Sequence, residues 1–375
     1  MSLSLVHSYG PRRSTHMKPL ISILIPAFNA QEWIADTLRS AIAQTWNRKE
    51  IIVVDDGSTD QTVDLARRFE SGSVKVVTQD NRGAPAARNA ALAFSQGDYI
   101  QYLDADDLLA PDKISRQVDC LVACGGTSRT LVSCSWGKFF YRVSHAKFVP
   151  TTLWCDLSPV EWLTRKLEEG SCMVPSCWLV SRRLTEAAGP WDTTLLYDDD
   201  GEYFSRVLLA SDGVRFVPEA KVYYRFSGPG SFGYLGNSEM KRNSMWRSIQ
   251  RHIEYVRSLE DSRRIRLACV KYLQRYVTEF YPNRPDVVKQ ARVMARHLGG
   301  RLTPPRLFWR IPLLGETQVP YSWIKAAFGW RAAKRARLYL PALIWGTVRC
   351  CDKVLYHIEN RGAARLCEIC RLQEV

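Results

Sequence analysis

Four short apolar runs, each closed by a polar turn and separated by helix-patterned segments, constrain this chain more than any other feature. Ile21-Ser22-Ile23-Leu24-Ile25-Pro26 is apolar and rich in β-branched residues, as a strand buried on both faces of a parallel sheet must be, and Pro26 ends it. Ile34, Leu38 and Ile42 then recur every four residues and mark one helix face. Ile51-Ile52-Val53-Val54 is the second strand; it stops at Asp55-Asp56-Gly57-Ser58-Thr59-Asp60, whose Gly and Asx residues turn the chain into a helix around Val63, Ala66 and Phe69. Val74-Lys75-Val76-Val77 is the third strand, and the Ala-rich helix from Pro85 to about Phe94 leads to the fourth, Tyr99-Ile100-Gln101-Tyr102-Leu103. Strands alternating with helices through short connections demand right-handed crossovers, so the expected architecture is α/β, with a mostly parallel sheet in three layers.

Ligands of such sheets bind beyond the carboxyl ends of the strands. Those ends carry Pro26 to Asn29, Asp55-Asp56 and Asp104-Ala105-Asp106-Asp107, so three sequence-distant loops converge on one crevice. Carboxylates this close repel one another unless something positive holds them. Asp104 and Asp106, two apart on an extended backbone, point the same way and can share a hard cation such as Mg²⁺ or Mn²⁺, which takes oxygen ligands and keeps positions for a phosphate. A lone Asp-x-Asp is more often a solvated turn capping the next helix; the convergence of strand ends favours the metal-diphosphate reading.

Beyond Asp107 the pattern is less regular. A helix is expected from Pro111 to Ala123, strands at Thr130 to Ser135 and Lys138 to Val143, and a helix after Ser158-Pro159-Val160-Glu161, a structural capping box. The chain is extended again near Cys172 to Val180 and reaches a second acidic knot, Asp198-Asp199-Asp200-Gly201-Glu202. Strand-like Val214 to Val217 and Tyr223-Tyr224-Arg225 precede a Gly-rich loop, Ser227 to Gly233, and from about Asn237 the pattern is helical, basic and aromatic. The expected division is a disordered extension over 1–17, a catalytic domain over 18–235 with halves at about 18–110 and 111–235, and a basic, mainly helical region over 236–375.

Charge separates the last two. The 375 residues carry a formal net charge of +14, yet residues 1 to 231 hold 25 Lys and Arg against 27 Asp and Glu, and residues 232 to 375 hold 27 against 11. The acidic crevice and the basic surface are therefore different features. No apolar run reaches the roughly 18 to 20 residues that span a bilayer, and Arg12 and Arg13 follow rather than precede a weakly apolar stretch, unlike a secretory signal. Eleven cysteines without framework spacing read as reduced thiols, which makes a cytoplasmic protein the expectation, with attachment at the inner face of the membrane as a further one. Cys350, Cys351, Cys367 and Cys370 match no common zinc module.

Ile21 to Asn29, Val53-Val54-Asp55-Asp56-Gly57-Ser58-Thr59-Asp60, Asn81-Arg82-Gly83 with Ala87-Arg88-Asn89, and Leu103-Asp104-Ala105-Asp106-Asp107 together resemble the donor-binding half of family-2 glycosyltransferases, in order and in spacing. The resemblance covers roughly residues 18 to 232. It implies a GT-A type, Rossmann-like fold and an inverting transfer from a nucleotide sugar, a UDP-sugar being favoured, with Mg²⁺ or Mn²⁺ as cofactor and a glycan or lipid-linked acceptor. It makes Pro26, Ala27 and Asn29 part of the nucleotide pocket and Asp56, with Asp55 as runner-up, the acceptor of a hydrogen bond from the base. Arg88 matches the arginine that reaches toward the nucleotide, its alternative being an ion pair with Asp55 or Asp104. Asp106 matches the metal-binding position and Asp104 the one near the ribose and the metal's waters; Asp107 lies behind them. Asp199-Asp200-Gly201-Glu202 before Arg206 fits the second acidic motif of the family, with Asp199 where Glu is usual, and Asp200 is the candidate general base. The plainer reading of that knot is the acidic first turn of a helix, with Arg206 pairing Glu202. Tyr224-Arg225 and the following loop can close over the diphosphate, although Phe226-Ser227 stand where relatives often carry His.

Phe308-Trp309-Arg310, Trp323-Ile324-Lys325 and Phe328 to Arg337 interleave aromatics with cations, which suits an anionic membrane surface; the alternative is a basic helical subdomain packed on the catalytic domain. Two competing readings are a nucleotidyltransferase, which needs a Gly-rich basic loop that Pro26 to Asn29 is not, and a nucleic-acid-binding protein, for which no recognised motif is present. No nucleic-acid partner is expected.

Overall fold

The first strand, β1 (Ile21–Ala27), is buried along its whole length and forms the centre of the molecule. The structure, a computed structural model, describes residues 18–226, 235, 238–280 and 284–303, together with the backbone of 308–310 and 318–320. After β1 come α1 (Ile34–Ile42), β2 (Lys49–Asp55), α2 (Thr62–Arg67), β3 (Val74–Thr78), α3 (Ala84–Phe94) and β4 (Tyr99–Tyr102), the alternation expected from the apolar runs. β1 pairs in parallel with β2 on one side and β4 on the other, Ile23 facing Ile51 and Gln101, and β3 extends the sheet outside β2. The buried face of α1 is Ile34, Leu38 and Ala41; Ile42, the third residue of the expected stripe, is exposed.

The later elements are β5 (Leu108–Leu109), α4 (Lys113–Ala123), β6 (Thr130–Phe139), β7 (Lys147–Phe148), α5 (Pro159–Glu169), β8 (Val180–Ser181), α6 (Arg182–Ala188), α7 (Asp199–Ala210) and β9 (Gly213–Arg225). β8 runs antiparallel to β4 and completes a five-stranded sheet in the order β3-β2-β1-β4-β8. A second sheet, β5-β9-β6-β7, stands beside it. Two expectations change here. The segments Thr130 to Ser135 and Lys138 to Val143 form one strand ending at Phe139, and Val214 to Val217 and Tyr223 to Arg225 form another. The register between them slips at Cys134 and Ser135, so Pro218 is absorbed in a bulge where the Ser135 hydroxyl donates to the Pro218 carbonyl (3.0 Å) instead of ending the strand. The capping box is half formed: Ser158 Oγ accepts from the Glu161 N–H, while the Glu161 carboxylate turns away to Arg165 and Arg264.

α8 (Glu239–Leu259), α9 (Arg263–Phe280) and α10 (Pro285–His297) follow. α8 packs on α7, α9 on α5, and α10 on α9, and Met245, Ile249, Tyr272 and Phe280 join the same continuous core as β1. Up to residue 303, then, the basic region is packed on the domain before it. β10 (Phe308–Arg310) and β11 (Gln318–Pro320) form an antiparallel pair. Residues 1–17, the loop Ser227 to Gly233, the basic segments from Trp323 to Arg337 and Cys350, Cys351, Cys367 and Cys370 lie outside the described residues. No helix among the described residues is long and apolar enough to cross a membrane.

Candidate active site

A cavity of about 610 Å³ opens beyond the carboxyl ends of β1 and β4. Its walls come from the loop after β1, from α3, from Asp104 to Asp106, from α5 and the segment after it, from the start of α7, and from α8 and α9. Pro26 and Asn29 line it. Asn29 adopts a left-handed conformation (φ 47°), which an Asn side chain tolerates, and it ties two strand ends together: its N–H donates to Ser58 Oγ (2.9 Å) and its Oδ1 accepts from the Thr59 N–H (2.9 Å). Ala27 lies behind the wall, its carbonyl accepting from the Asp56 N–H (2.8 Å).

Asp56 is bonded within the protein. Its carboxylate accepts from Gln79 Nε2 (2.7 Å) and from the N–H groups of Arg82 (2.9 Å) and Gly83 (2.7 Å), so it holds the turn before α3 and does not line the cavity. Asp55, the runner-up, accepts from the Ser58 N–H (3.0 Å) through one oxygen, while Oδ1 is buried without a partner. Asp55, like Asp56, stands off the cavity wall.

Asp104 to Asp107 form a turn, closed by the Asp107 N–H donating to the Asp104 carbonyl (3.0 Å), rather than the extended backbone expected. The turn nonetheless presents both Asp104 and Asp106 to the cavity. It is braced from behind: Thr37 Oγ1 donates to the Ala105 and Asp107 carbonyls, and Asp107 is fully buried, accepting from the Ser176 hydroxyl (2.7 Å) and the Arg225 N–H (2.9 Å). Burial pushes the Asp107 carboxyl well above its ordinary value, and Asp106 and Asp104 add to the effect. Arg225 also differs from expectation. It is buried off the cavity wall, its Nε donates to the Asp106 carbonyl (2.8 Å), and its guanidinium lies 4.0 Å from the centre of the Trp33 ring, so it holds the carboxylate turn in place.

Arg88 links the two acidic clusters. One guanidinium nitrogen meets Asp104 at 2.7 Å, and the other meets Asp199 at 2.7 Å, a partner that sequence reasoning did not propose. Its guanidinium packs 4.5 Å from the centre of the Trp191 ring. Burial works against the Arg88 charge, but Asp104 and Asp199 overcome it and hold the group above its ordinary value. One cation thus serves Asp104 and Asp199, with Asp200 beside them. Burial, reinforced by Asp200 and Asp104 against the pull of Arg88, pushes the Asp199 carboxyl up to about 7. Asp200 is raised too, by burial and then by Asp198, with Arg88 and Lys166 opposing. Its Oδ1 accepts only from the Gly201 N–H (2.8 Å), and no ion pair fixes it among the described residues. Glu202 pairs with Arg206 through both oxygens (3.0 and 2.9 Å), so the helix-turn reading and the cavity reading of this knot hold together.

The turn carrying Asp199 and Asp200 is held by residues that sequence reasoning missed. Asp198 is left-handed (φ 56°) and accepts from the Ser248 hydroxyl (2.5 Å). Lys166 Nζ donates to the Gly201 carbonyl (3.3 Å) and lies 3.2 Å from His252 Nε2, whose Nδ1 lies 2.8 Å from the Tyr272 hydroxyl. Burial and then Lys166 hold His252 well below its ordinary value, so the neutral ring accepts from Lys166 and keeps its proton on Nδ1 for Tyr272. A signal for Lys166 existed: it stands four residues after Trp162, on the apolar face of α5, where a lysine needs partners. Nothing in the sequence points to Met245, Ile249, Tyr272 and Tyr276 as cavity residues, since they arrive on α8 and α9 by tertiary packing.

No group of three His, Cys, Asp or Glu placed to hold a metal occurs among the described residues. The donor set still fits a hard cation in a restricted form: Asp104 and Asp106 supply carboxylate oxygens at one cavity wall, and water and phosphate complete such a shell.

Residues 22–188 match the family model described as glycosyl transferase family 2. TuaG of Bacillus subtilis, described as a putative teichuronic acid biosynthesis glycosyltransferase, is 39% identical over 111 residues, 29% of this chain and 44% of its own length. WfaP of Escherichia coli, a UDP-Glc:alpha-D-GlcNAc-diphosphoundecaprenol beta-1,3-glucosyltransferase, is 40% identical over 100 residues, 26% of this chain and 40% of its own length. The chain therefore spans about two fifths of the length of these relatives. Among solved structures, S. aureus TarS 1–349 in complex with UDP-GlcNAc superposes with a TM-score of 0.54 at 16% identity, covering 74% of this chain and 88% of that one. That likeness shows the fold, which is GT-A.

Proposed function

From the premise that this chain belongs to glycosyl transferase family 2, we propose that it moves a sugar from a UDP-sugar to a hydroxyl of a glycan or lipid-linked acceptor, with inversion at the sugar carbon. The observation that carries this reading is Arg88 joining Asp104 and Asp199 across one cavity. One guanidinium thereby joins Asp104 to Asp199; in this reading Asp104 and Asp106 serve the donor, and Asp200, next to Asp199, serves the acceptor. The UDP-sugar is supported by the donor in WfaP's name.

On the donor side Asp104 and Asp106 would hold Mg²⁺ or Mn²⁺, which when bound offsets the charge that develops on the leaving diphosphate. Pro26 and Asn29 form the nucleotide wall, and Asp56, with Asp55 as runner-up, at the end of β2 is the candidate for the contact to the base. Arg225 and Thr37 keep the carboxylate turn rigid, and Arg88 fixes the side chain of Asp104. On the acceptor side Asp200 takes the proton of the attacking hydroxyl. Its raised basicity favours that transfer, and among the described residues no ion pair occupies it.

The test is a panel of nucleotide sugars with the full chain, after EDTA treatment and with Mg²⁺ or Mn²⁺ restored, read as release of nucleoside diphosphate and as transfer. Asp200→Asn is expected to lose about 10²- to 10⁴-fold in transfer while donor still raises the thermal midpoint. Asp106→Ala is expected to lose metal-dependent turnover. Full transfer by Asp200→Asn defeats the assignment.

A further inference from the structure

We propose that a groove along α10, which shares no lining residue with the acidic cavity, docks the chain on the phosphate headgroups of an anionic phospholipid membrane. Lys289, Arg292 and Arg296 stand at i, i+3 and i+7 of the helix and so share one face, and Arg301 joins them from the segment beyond it. These four cations line a groove of about 650 Å³, and among the described residues its remaining wall is Pro285, Val288 and Leu302, with no Asp or Glu. The acidic residue of α10, Asp286, is occupied by Arg284 at 2.8 Å. Among the described residues none of the four groove cations has an ion-pair partner, in contrast to Arg257, Arg264 and Arg266 on neighbouring elements, each of which pairs with a carboxylate.

Unpaired cations in a row repel one another, and such a row is stabilised by an anion. Lys289 and Arg296 are about 10 Å apart along the helix axis, at about 1.5 Å per residue, a span that suits several phosphates rather than one. Guanidinium groups bind phosphate through two parallel hydrogen bonds, and the apolar wall accommodates the carbon skeleton next to a headgroup. Among the described residues no aromatic side chain lines the groove, so they offer no stacking surface of the kind a single-stranded nucleic acid uses. The charge continues in sequence: residues 304 to 375 hold 12 Lys and Arg against 5 Asp and Glu. α10 packs on α9, which supplies Tyr272 and Tyr276 to the cavity, so the groove belongs to the same packed body as the candidate site.

The test is sedimentation of the full chain with phosphatidylcholine vesicles, with and without phosphatidylglycerol, at low and physiological salt. Wild type is expected to bind the phosphatidylglycerol vesicles alone. Arg292→Gln combined with Arg296→Gln is expected to lower the partition coefficient about 30-fold, the worth of two surface cations, without moving the thermal midpoint, because both side chains are exposed. The double Lys variant at the same positions should retain most of the binding. The proposal is overturned by wild-type partitioning of the double Gln variant, by equal binding to neutral vesicles, by no binding at low salt, or by full displacement with millimolar inorganic phosphate at constant ionic strength, which would make the groove a site for the free anion.

Discussion

Asp199→Asn should make this protein more stable at pH 8 than at pH 5 relative to wild type. In the native structure the Asp199 carboxyl is buried beside Asp200 and Asp104, shares Arg88 with Asp104, and is pushed up to about 7 from an ordinary 3.8. A carboxyl raised on folding contributes stability that is complete below the unfolded-state value, about pH 4, and is lost as pH rises through the folded value near 7. Between pH 5 and about 7 the loss is about 1.4 kcal/mol per pH unit, so wild type forfeits on the order of 3 kcal/mol that an amide, which does not titrate, keeps. The side chain is almost fully buried, so little of this is screened by solvent. Removing the Asp199 charge also lessens the repulsion on Asp200, which moves the difference the same way. The assay is urea unfolding followed by tryptophan fluorescence at pH 5 and pH 8 in EDTA-containing buffer. A stability difference between variant and wild type that is the same at both pH values refutes the reasoning. A difference that turns against the variant at pH 8 shows instead that Asp199 is ionised throughout and that its pair with Arg88 is net stabilising.

Two further substitutions probe the loops that carry the site. Gly57 has φ 74°, and a Cβ there would lie 2.9 Å from the Asn81 backbone nitrogen, so Gly57→Ala should cost about 1–3 kcal/mol and weaken the thermal stabilisation given by a nucleoside diphosphate; unchanged stability would mean that the two loops part freely. Lys166 opposes the raising of the Asp200 carboxyl, so Lys166→Met should move the acid limb of the pH–rate profile to higher pH, and a profile that falls in height without moving would assign Lys166 a purely structural role.

What the sequence makes legible here follows from where the free energy lies. β1 and β2 can be read directly, because a strand buried on both faces must be apolar at every position, and Ile21 to Pro26 and Ile51 to Val54 are apolar at all positions but Ser22, whose hydroxyl meets Glu50 (2.6 Å). The bulge that carries β9 through Pro218 cannot be read, because its compensation is a hydroxyl 83 residues away in the chain. The acidic knots are legible as chemistry for the same reason that they are costly: carboxylates at such density require a cation, and the cation is Arg88, 111 residues from Asp199. Which oxygens the carboxylates keep unbonded depends on the tertiary fold. Asp55 and Asp56 are neighbours with the same side chain; the second is filled by Gln79, Arg82 and Gly83, and the first keeps a buried oxygen unpartnered. Arg225 follows the same rule in reverse, since a carbonyl at Asp106 and two aromatic rings, Trp33 and Phe139, bury the guanidinium that its sequence context would aim at a diphosphate. A motif therefore marks the loop that reaches the cavity, and the tertiary fold decides which side chains of that loop face it and which are bonded behind it.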